Sequence, residues 1–410
     1  MSKHIELDMT AIAHGGEALG RHAGRVVFVP YAAPGERVIV ELVEEKERWA
    51  RARLIEIIRP SVHRVEPPCP HFGVCQGCQL QHLAYPAQLE AKREIVQDQL
   101  TRLGHLSNVT VRDVIGMTEP WQYRNQAQLY AAEDGRLGIK GGAAQQVAGI
   151  DACPLFHPLI DELFSALDLD VEDLHRVSLR ASVQTEEHML IFETVGNWAP
   201  ELMADIPISC LLRLGDDIEV LFGDDWIWEV VAGRPFRISA LSPFPANTEM
   251  AGQSASIVRD YLSPKKDDIL LDAGCGVGFI GLSFSDELAG VLAIEDNGWA
   301  VADFMANAGD MPNAGIVQGS IFDGLTQIED PVDIAVVTPS RTGLGRESAS
   351  EIARLAPRHV AYVASDPAIL ARDVPNMTAA GYRLIEVQPL DMLPQTYQVH
   401  LVALWEQETL

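Results

Sequence analysis

The chain has 410 residues, 47% hydrophobic and 22% charged, which excludes a wholly disordered or collagen-like polymer and leaves room for two to four domains of roughly 100–200 residues. Lys and Arg number 31 against 58 Asp and Glu, a formal charge of −27, and taken whole that argues against a polyanionic partner. The charge is unevenly placed, however. Through Tyr130 there are 15 basic and 15 acidic residues, so the remaining 16 basic and 43 acidic residues carry the entire excess. Residues 1–10 hold no apolar leader, and no apolar run nears the roughly 18 residues of a membrane span, so no membrane partner and a cytoplasmic location are expected. In that compartment six cysteines read as metal ligands, buried small residues or a nucleophile rather than as disulfides.

In chain order, residues 1–60 carry short β-rich runs at 26–29, 37–43 and 52–58, separated by Gly15-Gly16 and Pro34-Gly35 and closed by Pro60. That spacing predicts a small β-barrel. Residues 61–245 form a mixed α+β domain. It opens on a cysteine cluster and continues into a helix over 85–103 stopped by Gly104, then into strand-like pieces at 189–194 and 218–222 beside a helix over 159–167. In residues 246–410, strands at 269–272, 291–295, 334–337, 359–363, 382–387 and 400–405 alternate with helix-length segments. The chain is therefore α/β, ending in a doubly wound, mostly parallel Rossmann-like sheet.

Cys69, Cys75 and Cys78 make a C-x5-C-x2-C cluster in a turn-rich loop after Pro67-Pro68, and Cys153 in Asp151-Ala152-Cys153-Pro154 is a distant fourth candidate. Four thiolates suit structural zinc or an iron-sulfur cluster, and spacing does not choose between them. Cys210 and Cys275 lie in apolar or glycine-rich runs and read as packing residues. The strand at 269–272 leads into Asp272-Ala273-Gly274-Cys275-Gly276-Val277-Gly278-Phe279, a turn whose glycines let a ligand approach the backbone at a helix N-terminus. Gly276-x-Gly278-x-x-Gly281 also fits a dinucleotide fingerprint. Asp272, and Glu295 at the end of the next strand, suit the ribose of S-adenosylmethionine (SAM) at least as well.

Several further segments bear on the same question: Gly15-Gly16-Glu17 through Gly20-Arg21, Arg25 through Pro30, Pro34 through Val38, the cysteine triplet running into Gln79-Leu80-Gln81-His82-Leu83, Tyr123-Arg124-Asn125, and Asp391 through Thr396. With these the chain resembles the RNA uracil-C5 methyltransferase family over nearly its whole length. The resemblance implies an N-terminal TRAM barrel, a domain holding a [4Fe-4S] cluster on Cys69, Cys75, Cys78 and Cys153, and a class I SAM-dependent methyltransferase domain. It further implies a structured RNA partner, rRNA or tRNA, held partly by the TRAM barrel, and a SAM site at Asp272, Gly274, Gly276, Gly278, Phe279, Glu295 and Thr338.

In that family a cysteine thiolate adds to uracil C6, C5 becomes enolate-like and takes the methyl group, and a carboxylate removes the C5 proton. By the resemblance, the nucleophile position of this chain is Ser365 in Tyr362-Val363-Ala364-Ser365-Asp366-Pro367, and no cysteine lies beyond Cys275. The family's basic glutamate aligns with His400, its Asp-Pro-Pro-Arg motif reads Thr338-Pro339-Ser340-Arg341, and its glutamine aligns with Pro245. Gly274 and Phe279 stand where the family has an aromatic residue and an amide, and Gly319-Ser320 where an acidic or amide side chain is common. Ser365 and His400 are the candidate catalytic pair, with His400 as the base a serine would need. Two expectations follow: a SAM-dependent RNA methyltransferase without the usual thiolate route, or a non-catalytic RNA-binding paralogue. RNA contact is expected near Arg21, Arg25, Arg48, Arg51 and Arg53, away from the acidic remainder.

Overall fold

The computed structural model describes residues 4–141, 146–167, 173–196, 207–309 and 311–408. Strands β1 (His4–Asp8), β2 (Ala11–Ile12), β3 (Ala18–His22), β4 (Arg25–Val29), β5 (Arg37–Glu45) and β6 (Trp49–Arg59) form one sheet in the order β1-β5-β6-β4-β3-β2. Period-2 alternation turns Leu7, Val27, Val29, Val38, Val40, Ala50 and Ala52 inward and leaves Arg21, Arg51 and Arg53 exposed. The buried Glu36 carboxylate accepts from Ala33 N at 2.8 Å and Arg64 Nε at 2.5 Å, which ties this sheet to the loop after β6.

Helix α1 (Tyr85–Arg102) starts with a proline in its first turn, where the missing N–H costs nothing, and buries Ala91, Ile95, Val96 and Leu100 on one face. The short β7 (Thr110–Val111) follows. Next come β8 (Gln126–Ala131), β9 (Leu137–Gly141), β10 (Gln146–Gly149), α2 (Pro158–Ala166), β11 (Leu174–Ala181), β12 (His188–Thr194), β13 (Ser209–Leu214) and β14 (Asp217–Phe222). Their strands make a seven-stranded sheet in the order β10-β9-β8-β11-β12-β13-β14, and β15 (Trp226–Val231) with β16 (Arg234–Ser239) forms a separate hairpin. The two strand-like pieces expected here are thus part of a larger sheet.

Helix α3 (Thr248–Leu262) is capped by Asn247, whose side-chain oxygen accepts from Met250 N at 3.1 Å. After it run β17 (Ile269–Ala273), β18 (Gly290–Glu295), α4 (Gly298–Ala308), β19 (Ala314–Gln318), α5 (Ile321–Gln327), β20 (Ile334–Val337), α6 (Gly345–Leu355), β21 (His359–Ala364), α7 (Pro367–Ala379), β22 (Tyr382–Leu390) and β23 (His400–Gln407). The sheet order is β19-β18-β17-β20-β21-β23-β22, with β7 parallel on the outer edge of β22 and β23 antiparallel to both its neighbours. All four residues of β20 are buried, as a strand covered by helices on both faces requires. Strand order reverses between β17 and β20, and ligands bind an open α/β sheet at the carboxyl ends of the strands flanking such a reversal.

Candidate active site

The turn after β17 is held open by backbone geometry. Gly274 has φ +81°, and a Cβ there would lie 2.3 Å from the Thr338 carbonyl oxygen, so any larger residue would push β20 away. Gly276 has φ +57°, and nothing stands nearer to its would-be Cβ than the Pro243 oxygen at 4.0 Å, so its backbone faces open space. Gly278 serves differently: it packs on the Phe304 ring rather than lining the cleft. The segment beyond it, Gly281–Glu287, is 3-10 in character and kinked at Phe284, in place of the α-helix expected from the pattern. Gly281 N donates to Asp272 Oδ2 at 3.1 Å, while Asp272 Oδ1 is buried without a partner. Burial pushes the Asp272 carboxyl up to about 7, and the nearby Glu295 adds to the rise.

Glu295 closes the other side. Its Oε2 accepts from Gly276 N at 2.8 Å and its Oε1 from Asp296 N at 3.0 Å and Asn297 N at 2.9 Å. A carboxylate has about four acceptor positions, so one remains on Oε2 for a ligand hydroxyl. Phe279 stacks edge-on against Phe244 with ring centroids 5.5 Å apart and forms an apolar wall. These groups line a cleft of about 1280 Å3 that also takes in Thr338, Pro245, Ser365 and His400. The volume exceeds the roughly 300–1,000 Å3 of a small-ligand pocket, which leaves room for a second molecule beside a nucleotide-sized one.

Ser365 and His400 meet because β21 and β23 are neighbours. The register ends on Ala364 opposite Leu401, so Ser365 and His400 come next to each other at the strand ends. Among the described residues neither makes a side-chain hydrogen bond, to the other or elsewhere. Burial, with Lys92 adding its charge, lowers the His400 imidazole to about 4, so the ring is neutral and weakly basic. The expected serine–base pair is therefore adjacent but not engaged. Asp366 instead caps α7 through Ala368 N at 2.7 Å and bonds His14 Nε2 at 2.9 Å. That bond brings the first sheet to the edge of the cleft. Asp373 gathers Leu344 N at 2.5 Å, Gly345 N at 3.1 Å and Tyr362 Oη at 2.5 Å, fixing the loop after β20 against α7.

A second site lies on the other side of the segment 391–397. Cys69, Cys75, Cys78 and Cys153 line one cavity with Gln81 and Arg124. Burial pushes the Cys78 thiol up to about 12 and the Cys153 thiol to about 11, so without a positive centre both stay protonated. Among the described residues the buried Arg124 Nε and both polar atoms of the Gln81 amide have no hydrogen-bond partner. The pocket thus gathers four thiols beside a buried guanidinium. Among the described residues, no three His, Cys, Asp or Glu side chains close on a position that would hold a single metal ion.

Residues 3–55 match the TRAM domain family. An uncharacterized RNA methyltransferase of Thermosynechococcus vestitus is 30% identical over 98% of this chain and 97% of its own. Another, from Caldanaerobacter subterraneus, is 32% identical over 99% of this chain and 98% of its own. The chain belongs to the RNA methyltransferase family. The crystal structure of the tRNA (uracil-54, C5)-methyltransferase of Pyrococcus abyssi in complex with S-adenosyl-L-homocysteine (SAH) is similar at 26% identity and a TM-score of 0.78, over 98% of this chain and all of that one. In this methyltransferase, sequence reasoning missed His14, Lys92 and Gln126. Each reaches its site from a distant segment, and no local pattern marks it.

Proposed function

We propose that this methyltransferase binds SAM at the β17–β18 end of the cleft and transfers its methyl group to structured RNA, rRNA or tRNA, without a covalent enzyme–base intermediate. The observation that carries the reading is one cleft uniting the glycine turn, Asp272 and Glu295 with the base-facing strand ends at Ser365 and His400. Glu295 Oε2 and the unpartnered Asp272 Oδ1 offer acceptors to a ribose and to an amino group, and Gly276 leaves the space a ligand needs. When bound, SAM supplies an electrophilic methyl group.

Ser365 has no hydrogen-bonded base, and a neutral imidazole lowered to about 4 takes a serine proton poorly. The route through addition to uracil C6 therefore lacks its first step. An RNA ring nitrogen that carries a free lone pair and no proton needs no such activation and no base, and we assign the target to that class. The four-cysteine pocket is the proposed site of a structural [4Fe-4S] cluster, with Arg124 offsetting its negative charge. No described helix is long and apolar enough to cross a membrane, and RNA of this kind points to a cytoplasmic protein.

The test is to incubate the protein, cluster intact, with labelled SAM and unmodified RNA and to map the modified nucleoside. Label on a ring nitrogen is the expected result. Label on uracil C5 would overturn the lone-pair assignment, and bound RNA with no label would overturn transfer itself. Broad visible absorbance of a brown protein checks the cluster; a colourless protein containing zinc would replace it.

A further inference from the structure

The seven-stranded sheet presents two unlike faces. Ala127 and Leu129 of β8 and Val177 and Leu179 of β11 point into an apolar core. Alternation sends Gln126, Gln128, Arg176, Ser178 and Arg180 to the opposite face. Part of that face is covered, where Met189, Ile191 and Leu211 pack under Ile227 and Ile238 of the β15–β16 hairpin. The rest is an open groove of about 150 Å3 lined by Gln126, Gln128, Arg176, Ser178, Arg180 and Arg213. Gln126 also lines the large cleft, so the groove runs into it.

Its charge contradicts its surroundings. Beyond Tyr130 the chain has 16 basic and 43 acidic residues, yet three of those 16 converge here against one lining carboxylate, Glu193. Arg180 is committed to the fold, since its guanidinium donates to Ser239 O and Ser242 O, each at 3.0 Å. Arg176 donates one N–H to Glu193 Oε2 at 2.5 Å, and Arg213 donates its Nε–H to Gly215 O at 2.6 Å and lies 4.0 Å from the exposed Asp216 carboxylate. A guanidinium carries five N–H donors, so both keep several. Gln128 is exposed, and among the described residues neither it nor Ser178 makes a side-chain hydrogen bond, while Gln126 donates to Phe244 O at 2.6 Å and its amide oxygen has no partner. Forked cations beside the Gln128 amide, the Gln126 amide oxygen and a hydroxyl match phosphodiester oxygens and base edges, not an apolar peptide.

The geometry points to a track for single-stranded RNA: the nucleotides flanking the target lie along this groove, with phosphates against Arg176 and Arg213 and base or sugar edges against Gln126 and Gln128. A target nucleotide must leave its stack to reach an enclosed cleft, so its neighbours arrive unpaired. This inference rests on the RNA-binding reading above and adds the surface that reading does not supply.

The test uses the full-length protein and a fluorescein-labelled 20-nucleotide oligouridylate. Arg176→Gln/Arg213→Gln should weaken binding about 10-fold near 0.1 M salt and lower the slope of log K against log salt by roughly 1.4, two single-strand phosphate contacts. SAH affinity should not change, which certifies the fold. Arg383→Gln, at an exposed remote strand, should bind oligouridylate as wild type does. If the double variant folds poorly, Gln128→Glu at an exposed groove position should weaken binding in the same direction. Wild-type affinity and slope in the folded double variant, or no oligouridylate binding by wild type at 50 mM salt, overturns the track. A protein that fails to transfer label but still loses oligouridylate affinity on these changes fails the reading of catalysis and leaves the track standing.

Discussion

The cysteine pocket and the Ser365–His400 end of the cleft lie on two sides of the same segment, 391–400, and differ in how far their side chains match the family resemblance. On one side the four cysteines line one pocket and the segment is clamped beside it: Gln79 N and Leu80 N donate to Gln395 O at 3.1 and 3.0 Å, and Gln88 Nε2 donates to Gln395 Oε1 at 2.9 Å. On the other side Ser365 and His400 stand where the resemblance implies a thiol and a carboxylate, yet the hydrogen bonds around them, through Asp366 and Asp373, are intact. Packing demands and chemical demands are therefore separable. A scaffold can persist in detail while the side chains at its strand ends differ, so the scaffold alone does not fix the target atom.

The largest expected effect sharpens that contrast from the cysteine side. Cys78→Ser should abolish visible absorbance and lower the unfolding midpoint by on the order of 10 °C or more, because ligation energy is folding energy. An unchanged midpoint in calorimetry would remove the structural role. Next comes the fully buried Lys92–Asp391 pair that bolts α1 to the segment 391–400. Lys92→Met should cost roughly 3–5 kcal/mol by leaving a buried carboxylate alone, and Lys92→Met/Asp391→Leu should recover most of it. Denaturant titration reads both, and a double variant as weak as the single would show that the pair's charge is needed.

A smaller effect comes from the cleft side. His400 binds its proton less well folded, at about 4, than unfolded, near 6.5. Between those values the unfolded chain holds more protons, so stability falls as pH drops from 6.5 to 4, by on the order of 1–3 kcal/mol. His400→Gln should flatten that part of the stability–pH curve, and an unchanged curve would assign the slope to other groups. The smallest effect is Ser365→Ala, which should leave the labelling rate within about twofold, since no base activates the hydroxyl. A hundredfold loss would restore Ser365 to the chemistry.

What the sequence made legible follows a physical line. Motifs confined to one loop were readable: the glycine turn, Glu295 at its strand end and the cysteine triplet each carry their geometry in local spacing. Partners brought together by the fold were not. His14 meets Asp366 across 352 positions and Lys92 meets Asp391 across 299, and no periodicity reports such pairs. The central sheet was half-read because β12 is buried at nearly every position and so lacks alternation, while β8 and β11 alternate with arginine and glutamine rather than with plainly surface-seeking residues. The 3-10 segment after the glycine turn escaped because Gly281 sits against Asp272, where a Cβ would come within 2.5 Å of Oδ2.

The placement of β23 bears on biosynthesis. This strand pairs with β21 on one side and β22 on the other, although both precede it in the chain. As the polypeptide emerges, domains fold from the N-terminal end first, so β21 and β22 leave the ribosome with facing edges unsatisfied. Until His400–Gln407 threads between them, the nascent protein carries two adhesive strand edges and one missing wall of its cleft. Chaperone protection should matter most in that interval, after the TRAM sheet has formed.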